Sequence, residues 1–239
     1  MKDEYISVKT YKKGTLELDE EIKNITTNFG QISYLSVKLT CAEINCPFFE
    51  LDISKCTIKS FQNGNGKTKY KLYVEVIGKE QVEALENIFN DSIDIVIKNQ
   101  NKFPSIRPKN LRVSNTAYIK SIFNPFLKNK LIDIENNIYK CSLCLTLNPN
   151  SEVLIAQIRD ETTTIHQIDY TNINDISFNA SVIFNLENIF VNSIMGVCQG
   201  TVKTCLIFND IKNNGSQTIN ISQSSMIKYL YEIPTITVL

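Results

Sequence analysis

The chain has 239 residues, 43% of them hydrophobic, which is enough for a full core as one large β domain or two small ones and excludes a globally disordered chain. Its 25 basic and 25 acidic residues cancel, and an even balance of that kind argues against a nucleic-acid partner. Seven scattered cysteines behind a charged Met-Lys-Asp-Glu-Tyr start imply reduced thiols in the cytosol or nucleus, without a disulfide framework; no apolar run approaches the roughly 18 to 20 residues that span a bilayer, so no membrane is expected.

In chain order, Ile32 to Thr40 alternates apolar and polar residues with the period of two of a half-buried strand, and Phe48 to Ile53 and Thr57 to Phe61 predict two more. Asn63-Gly64-Asn65-Gly66 is a hairpin signal. The strand leaving it, Lys67 to Ile77, sets Tyr70, Leu72, Val74 and Val76 on one side and Lys67, Lys69, Lys71 and Tyr73 on the other: a core face, and a row of ammonium groups ending in an aromatic. After Gly78, the spacing of Val82, Leu85, Ile88 and Phe89 predicts an amphipathic helix over Lys79 to Asn90, with Asp91 to Lys98 returning to strand. Residues 99–130, with Pro104, Pro108 and Pro125, read as an extended basic loop holding a short helical or strand piece near Ala117 to Phe126.

Strands resume at Tyr139 to Leu147, Val153 to Arg159, Thr163 to Ile168, Ser177 to Val191 and Ile194 to Phe208, with a turn at Asn148-Pro149-Asn150. A further turn at Asn213 to Ser216 precedes a weakly helical Ser222 to Tyr231 and an apolar tail, Ile236 to Leu239. With no repeat and no low-complexity linker, residues 1–239 read as a single domain: a β-dominated α+β fold with one clear amphipathic helix, built as a barrel with large insertions.

The neutral total hides an uneven distribution. Between Ile95 and Ile132 there is no Asp or Glu, while Lys98, Lys102, Arg107, Lys109, Arg112, Lys120, Lys128 and Lys130 are cationic. Residues before that block carry 12 basic and 15 acidic groups and those after it 5 and 10, so a neutral protein has one strongly positive segment. It interleaves its charges with Phe103, Tyr118, Phe123 and Phe126, and cations that track phosphates beside aromatics that stack on bases are what sequence-independent single-strand binding needs. A solvated loop balancing the acidic remainder is the plainer alternative. A second acid-free stretch, Ile53 to Val74, adds Lys55, Lys59, Lys67, Lys69 and Lys71 with Phe61, Tyr70 and Tyr73.

Catalytic chemistry is left without candidates. Gly66-Lys67-Thr68 lacks the upstream glycine of a phosphate loop, since Phe61 stands there, and its setting is strand-turn-strand. Cys141 and Cys144 are three apart in an alternating strand, which points their sulfurs to opposite faces, and no second Cys/His pair has ligand spacing. His166, the only histidine, has a strand-like setting. No metal or cofactor is expected.

Three stretches resemble the single-stranded-DNA-binding proteins of large cytoplasmic DNA viruses, of the African swine fever virus and poxvirus type: Glu80 to Asn90 behind paired strands, Cys144 to Pro149 with its strand-to-turn Asn-Pro, and Phe178 to Ile183 continuing into Met195-Gly196-Val197. The resemblance covers about residues 30 to 210. It implies an oligonucleotide/oligosaccharide-binding (OB) barrel and non-catalytic coating of single-stranded DNA during viral-type replication in the host cytoplasm. RNA is the alternative ligand, and self-association or cooperative coating along the strand stays open. No ligand motif matches sharply enough for contact residues to be carried over. The chain departs from many single-strand binders in closing on Pro234-Thr235-Ile236-Thr237-Val238-Leu239 rather than on an acidic tail. A replication processivity or scaffold protein and a virion structural protein are the rival readings.

Overall fold

The computed structural model describes residues 5–18, 23–27, 30–35, 37–39, 48–62, 66–103, 114–159, 162–192 and 194–208. In chain order the strands are β1 (Ile6–Ser7), β2 (Leu16–Leu18), β3 (Lys23–Thr27), β4 (Gly30–Leu35), β5 (Val37–Leu39), β6 (Phe48–Gln62) and β7 (Thr68–Ile77). Two helices follow, α1 (Lys79–Lys98) and α2 (Asn115–Ile122). Then come β8 (Leu127–Asp133), β9 (Ile138–Leu147), β10 (Glu152–Arg159), β11 (Thr162–Gln167), β12 (Ser177–Val191) and β13 (Gly196–Phe208). The β-dominated α+β class expected from the sequence is the class observed.

β2 and β5 form a two-stranded sheet, and the other strands join one network of eleven. Its centre is a pairing path that returns to its start. β6 pairs antiparallel with β7, and β7 with β9. β9 meets β13 in parallel at Thr146 and Thr201. β13 pairs antiparallel with β12, and β12 with β6. The residues that alternate inward, among them Phe49, Leu51, Cys56, Ile58, Leu72, Val74, Leu143, Leu145, Val182, Phe184 and Val202, form one buried core. β10 and β11 extend the network beyond β13, and β3 and β4 extend it beyond β12.

Four expectations change. The strand read at Ile32 to Thr40 is two, β4 in the large network and β5 paired with β2. The two strands read at Phe48–Ile53 and Thr57–Phe61 are one, β6, because its pairing with β12 runs on through a bulge opposite Ala180 and Val182. The strand read at Asp91 to Lys98 is the second half of α1. Ile93, Ile95 and Ile97 alternate as a strand would, but Ser92, Ile95 and Val96 continue the buried stripe of Val82, Leu85 and Ile88, and the Ser92 hydroxyl donates to the Ile88 carbonyl at 2.8 Å. The loop read at residues 99–130 holds α2 where a short helical or strand piece is expected, but it also holds the start of β8; residues 104–113 lie outside the described residues, as do Asn213–Ser216, Ser222–Tyr231 and the apolar tail.

α1 starts where Gly78 takes φ +109, a backbone angle that disfavours any side chain, and the Gly78 amide donates to the Tyr139 carbonyl at 2.9 Å. α2 is capped by Ser114, whose hydroxyl accepts from the Ala117 amide at 3.2 Å. No helix among the described residues is long and apolar enough to cross a membrane. The N-terminal segment lies against β6 and α1. β1 runs parallel to β6, Lys9 pairs with Asp52 at 2.5 Å, and Asp91 on α1 accepts from the Tyr11 hydroxyl at 2.6 Å and from the Gly14 amide. Beside that segment, burial and then the neighbouring Asp52 raise the Glu50 carboxyl from an ordinary 4.5 to about 7, against the lowering effect of Ser181.

Two outcomes are expected. A Cβ on Gly196 would sit 2.6 Å from the Phe123 ring, which is held against Phe89, so Gly196→Ala should cost about 1 to 3 kcal/mol in urea unfolding; an unchanged midpoint would show that the ring has room to move. The folded chain keeps the Glu50 proton up to about pH 7 while the unfolded chain releases it near 4.5, so this contribution is fully present below the lower value and is lost as pH rises through the upper one. Glu50→Gln should therefore gain stability over the parent at about pH 8 relative to about pH 5, and equal differences at both would refute the shift.

Candidate nucleic-acid interface

Directly opposed residues of antiparallel strands share a face, so the register of β6, β7 and β9 lays out the surface outside the core. Phe61 faces Lys69. Lys59 faces Lys71, which faces Thr146. Thr57 faces Tyr73, which faces Cys144. Lys55 faces Glu75, then Ser142, and Ser142 faces Lys128 on β8. The intervening Cys56, Ile58, Leu72, Val74, Leu143 and Leu145 are buried, which fixes these rows on the outside.

Two aromatic rings stand exposed among the lysines, Tyr73 at 40% and Phe61 at 38%. Each has an ammonium from the neighbouring strand near its face: Lys59 Nζ lies 5.7 Å from the Tyr73 ring centre, and Lys71 Nζ lies 4.9 Å from that of Phe61. These diagonal cross-strand contacts are worth about 0.5 to 1 kcal/mol each at exposed sites. Against them, Lys59 and Lys71 are directly opposed like charges, an arrangement that destabilises a sheet. Burial, and then the adjacent Cys144 thiol, push the Tyr73 phenol above its ordinary range, so the ring is neutral at physiological pH.

The structure divides the residues singled out by sequence. Lys69, Lys71 and Tyr73 lie in these rows, and exposed Lys67 just precedes β7 beside Gly66. Of the basic block, Lys128 joins the surface. Lys98 and Lys102, at and beyond the end of α1, and Lys120 on α2 are exposed but belong to other elements. Lys130 forms an ion pair with Glu86 of α1. Arg107, Lys109 and Arg112 lie outside the described residues.

Its aromatics are a correction. Phe103 is 1% exposed and Phe123 is buried against Phe89, so neither ring offers a face to a base; Phe126 stacks on Phe89 from within the core, and Tyr118 is half-buried against it. The interleaving that looked like a stacking surface instead anchors α2 and β8 to α1.

Several side chains of the surface were missed by, or left out of, the sequence-based site: Lys55, Thr57, Lys59, Phe61, Glu75, Cys144 and Thr146. A signal for most of them existed. Once the turn at Asn63 to Gly66 is taken as a hairpin, alternation in Lys55, Thr57, Lys59 and Phe61 puts them beside the β7 lysines.

No family model and no curated protein matches the sequence. Among solved structures, the chain is similar to the single-stranded DNA-binding protein from bacteriophage Enc34 in complex with ssDNA, with 13% identity, a TM-score of 0.38, and coverage of 84% of this chain and 99% of that one. A likeness of that depth assigns neither fold nor ligand, so the case for both comes from the chain's own geometry.

Cys144 is half-buried on the outer surface, whereas Cys56, Cys141, Cys198 and Cys205 are buried, and burial pushes the first two of those thiols up to about 12 and about 11. Maleimide labelling followed by peptide mapping should modify Cys144 before those four. Equal or slower modification of Cys144 would mean that the β7–β9 surface is covered.

Proposed function

We propose that this protein binds single-stranded DNA without catalysis and with little sequence preference, along the outer surface of β6, β7 and β9. The observation that carries the proposal is the directly opposed pair Lys59 and Lys71, set between the exposed rings of Phe61 and Tyr73. Facing ammoniums oppose folding, and phosphates relieve that repulsion, while exposed rings between them stack unpaired bases. A duplex keeps its base faces within its own stack and gives such rings nothing to hold.

The closed pairing path supports an OB-type barrel. Three consecutive antiparallel strands, β6, β7 and β9, are followed by two that return to close on both ends of that meander, and in OB barrels the face of the second and third strands is where oligonucleotides lie. Here those strands are β7 and β9, with α1, α2 and β8 as the insertion between them. The viral replication setting and the cytoplasmic location rest on the sequence resemblance alone.

Fluorescence anisotropy of a labelled oligo-dT of about 30 nucleotides, at low and moderate salt and with the matching duplex as competitor, tests the proposal. Salt-sensitive binding that duplex fails to displace is expected. Tyr73→Ala and Phe61→Ala should each weaken it by about 1 to 3 kcal/mol, and Lys59→Ala and Lys71→Ala should each shallow the salt slope by roughly 0.7. Absence of binding at low salt, or equal displacement by duplex, would overturn it.

A further inference from the structure

The cationic rows contain one carboxylate, Glu75, between Lys55 and Ser142. A negative charge there weakens the hold on phosphates, and it is not spent on neighbouring cations. Among the described residues the Glu75 carboxylate has no hydrogen bond and no ion pair within 4.0 Å, although Lys55 stands directly across the strand pair. It shares the outer face of β7 with Tyr73, two residues away, or about 6.6 Å along the strand. A base stacked on the Tyr73 ring would have the carboxylate as its neighbour along the strand.

We infer that Glu75 is a base-selecting residue, favouring bases that present amine or amide N–H groups over thymine and uracil. This inference rests on the single-strand reading above. An ionised carboxylate only accepts hydrogen bonds. Guanine offers it two adjacent donors, N1–H and the N2 amine, which match its two oxygens. Cytosine and adenine offer an exocyclic amine, and a carboxylate accepting from cytosine N4 is an established pairing. Thymine and uracil place their one ring N–H between two carbonyl oxygens, which the carboxylate repels. The surface thus combines rings that accept any base with one acceptor-only position that penalises thymine.

The test compares anisotropy titrations of the full-length chain and of Glu75→Gln against three labelled oligonucleotides of about 30 residues: oligo-dT, oligo-dC, and oligo-dT carrying guanine at every third position. Glutamine keeps the shape of the side chain, loses its charge and can donate to a thymine carbonyl. The parent chain is expected to bind the two amine-bearing oligonucleotides at least about fivefold more tightly than oligo-dT. In Glu75→Gln that ratio should fall towards one, mainly through a gain in oligo-dT affinity, with the melting temperature unchanged. A parent ratio near one, the same ratio in both proteins, or an equal gain for all three oligonucleotides would overturn the selectivity and leave Glu75 as a repulsive charge only. Failure of all three to bind at low salt would remove the single-strand reading itself.

Discussion

A strand with one buried side has no freedom over where its other side chains go, and β7 is where that constraint governs the molecule. Leu72, Val74 and Val76 are fully buried in the core, so Lys69, Lys71, Tyr73 and Glu75 must face outward together. A slip of one residue against β6 or β9 would turn ammonium groups into the core and the core residues into solvent, a penalty far beyond the stability of a domain of this size. The β6–β7 register is therefore strongly specified, and with it the rows that bring Lys59 opposite Lys71 and leave two aromatic rings uncovered.

The segment between β7 and β9 has a different task. α1 lays Val82, Leu85, Ile88 and Val96 on the core, and Phe89 then packs against Phe123 and Phe126, which brings α2 and β8 into place. Gly196 at the start of β13 admits the Phe123 ring, and its carbonyl accepts from the Asn124 amide at 2.8 Å, so the insertion is fastened to β13 as well as to the two strands it joins. The aromatics of the basic block are consumed in this packing. What the block contributes to the cationic surface among the described residues is Lys128, placed by its pairing with Ser142.

The difference between these two regions explains what could be read in the sequence. Local alternation located nearly every strand from β6 onward, and β12 runs over the residues expected for it. It also separated the two faces of β7 and set Cys141 and Cys144 on opposite faces of β9, of which the structure buries the first and leaves the second half-buried. Two things escaped it. In the second half of α1 the isoleucines satisfy both periods, and only packing against the core decides between them. Within the basic block, residue types alone do not say whether an aromatic has a face to offer; Phe103 and Phe61 look equivalent in sequence, and one is buried while the other is exposed. The closure of β13 on β9 joins residues far apart in the chain, beyond the reach of any local pattern.

If the surface binds single strands as proposed, the lysines near the exposed rings would give it a means of exchange. In the free protein the Lys59 ammonium lies near the face of Tyr73, and Lys71 near Phe61, which partly satisfies both partners in water. A base stacking on either ring would displace an ammonium contact worth about 0.5 to 1 kcal/mol and replace it with stacking worth about 1 to 3 kcal/mol. The displaced ammonium would then be free to meet a backbone phosphate, where it would release a condensed counterion and lose its repulsion from the opposed lysine. Stacking and neutralisation would in this way be coupled at each ring. In the proposed single-strand binding, that coupling would make occupancy sensitive to salt and leave base identity largely free, except where the inferred Glu75 acceptor meets the edge of a stacked base.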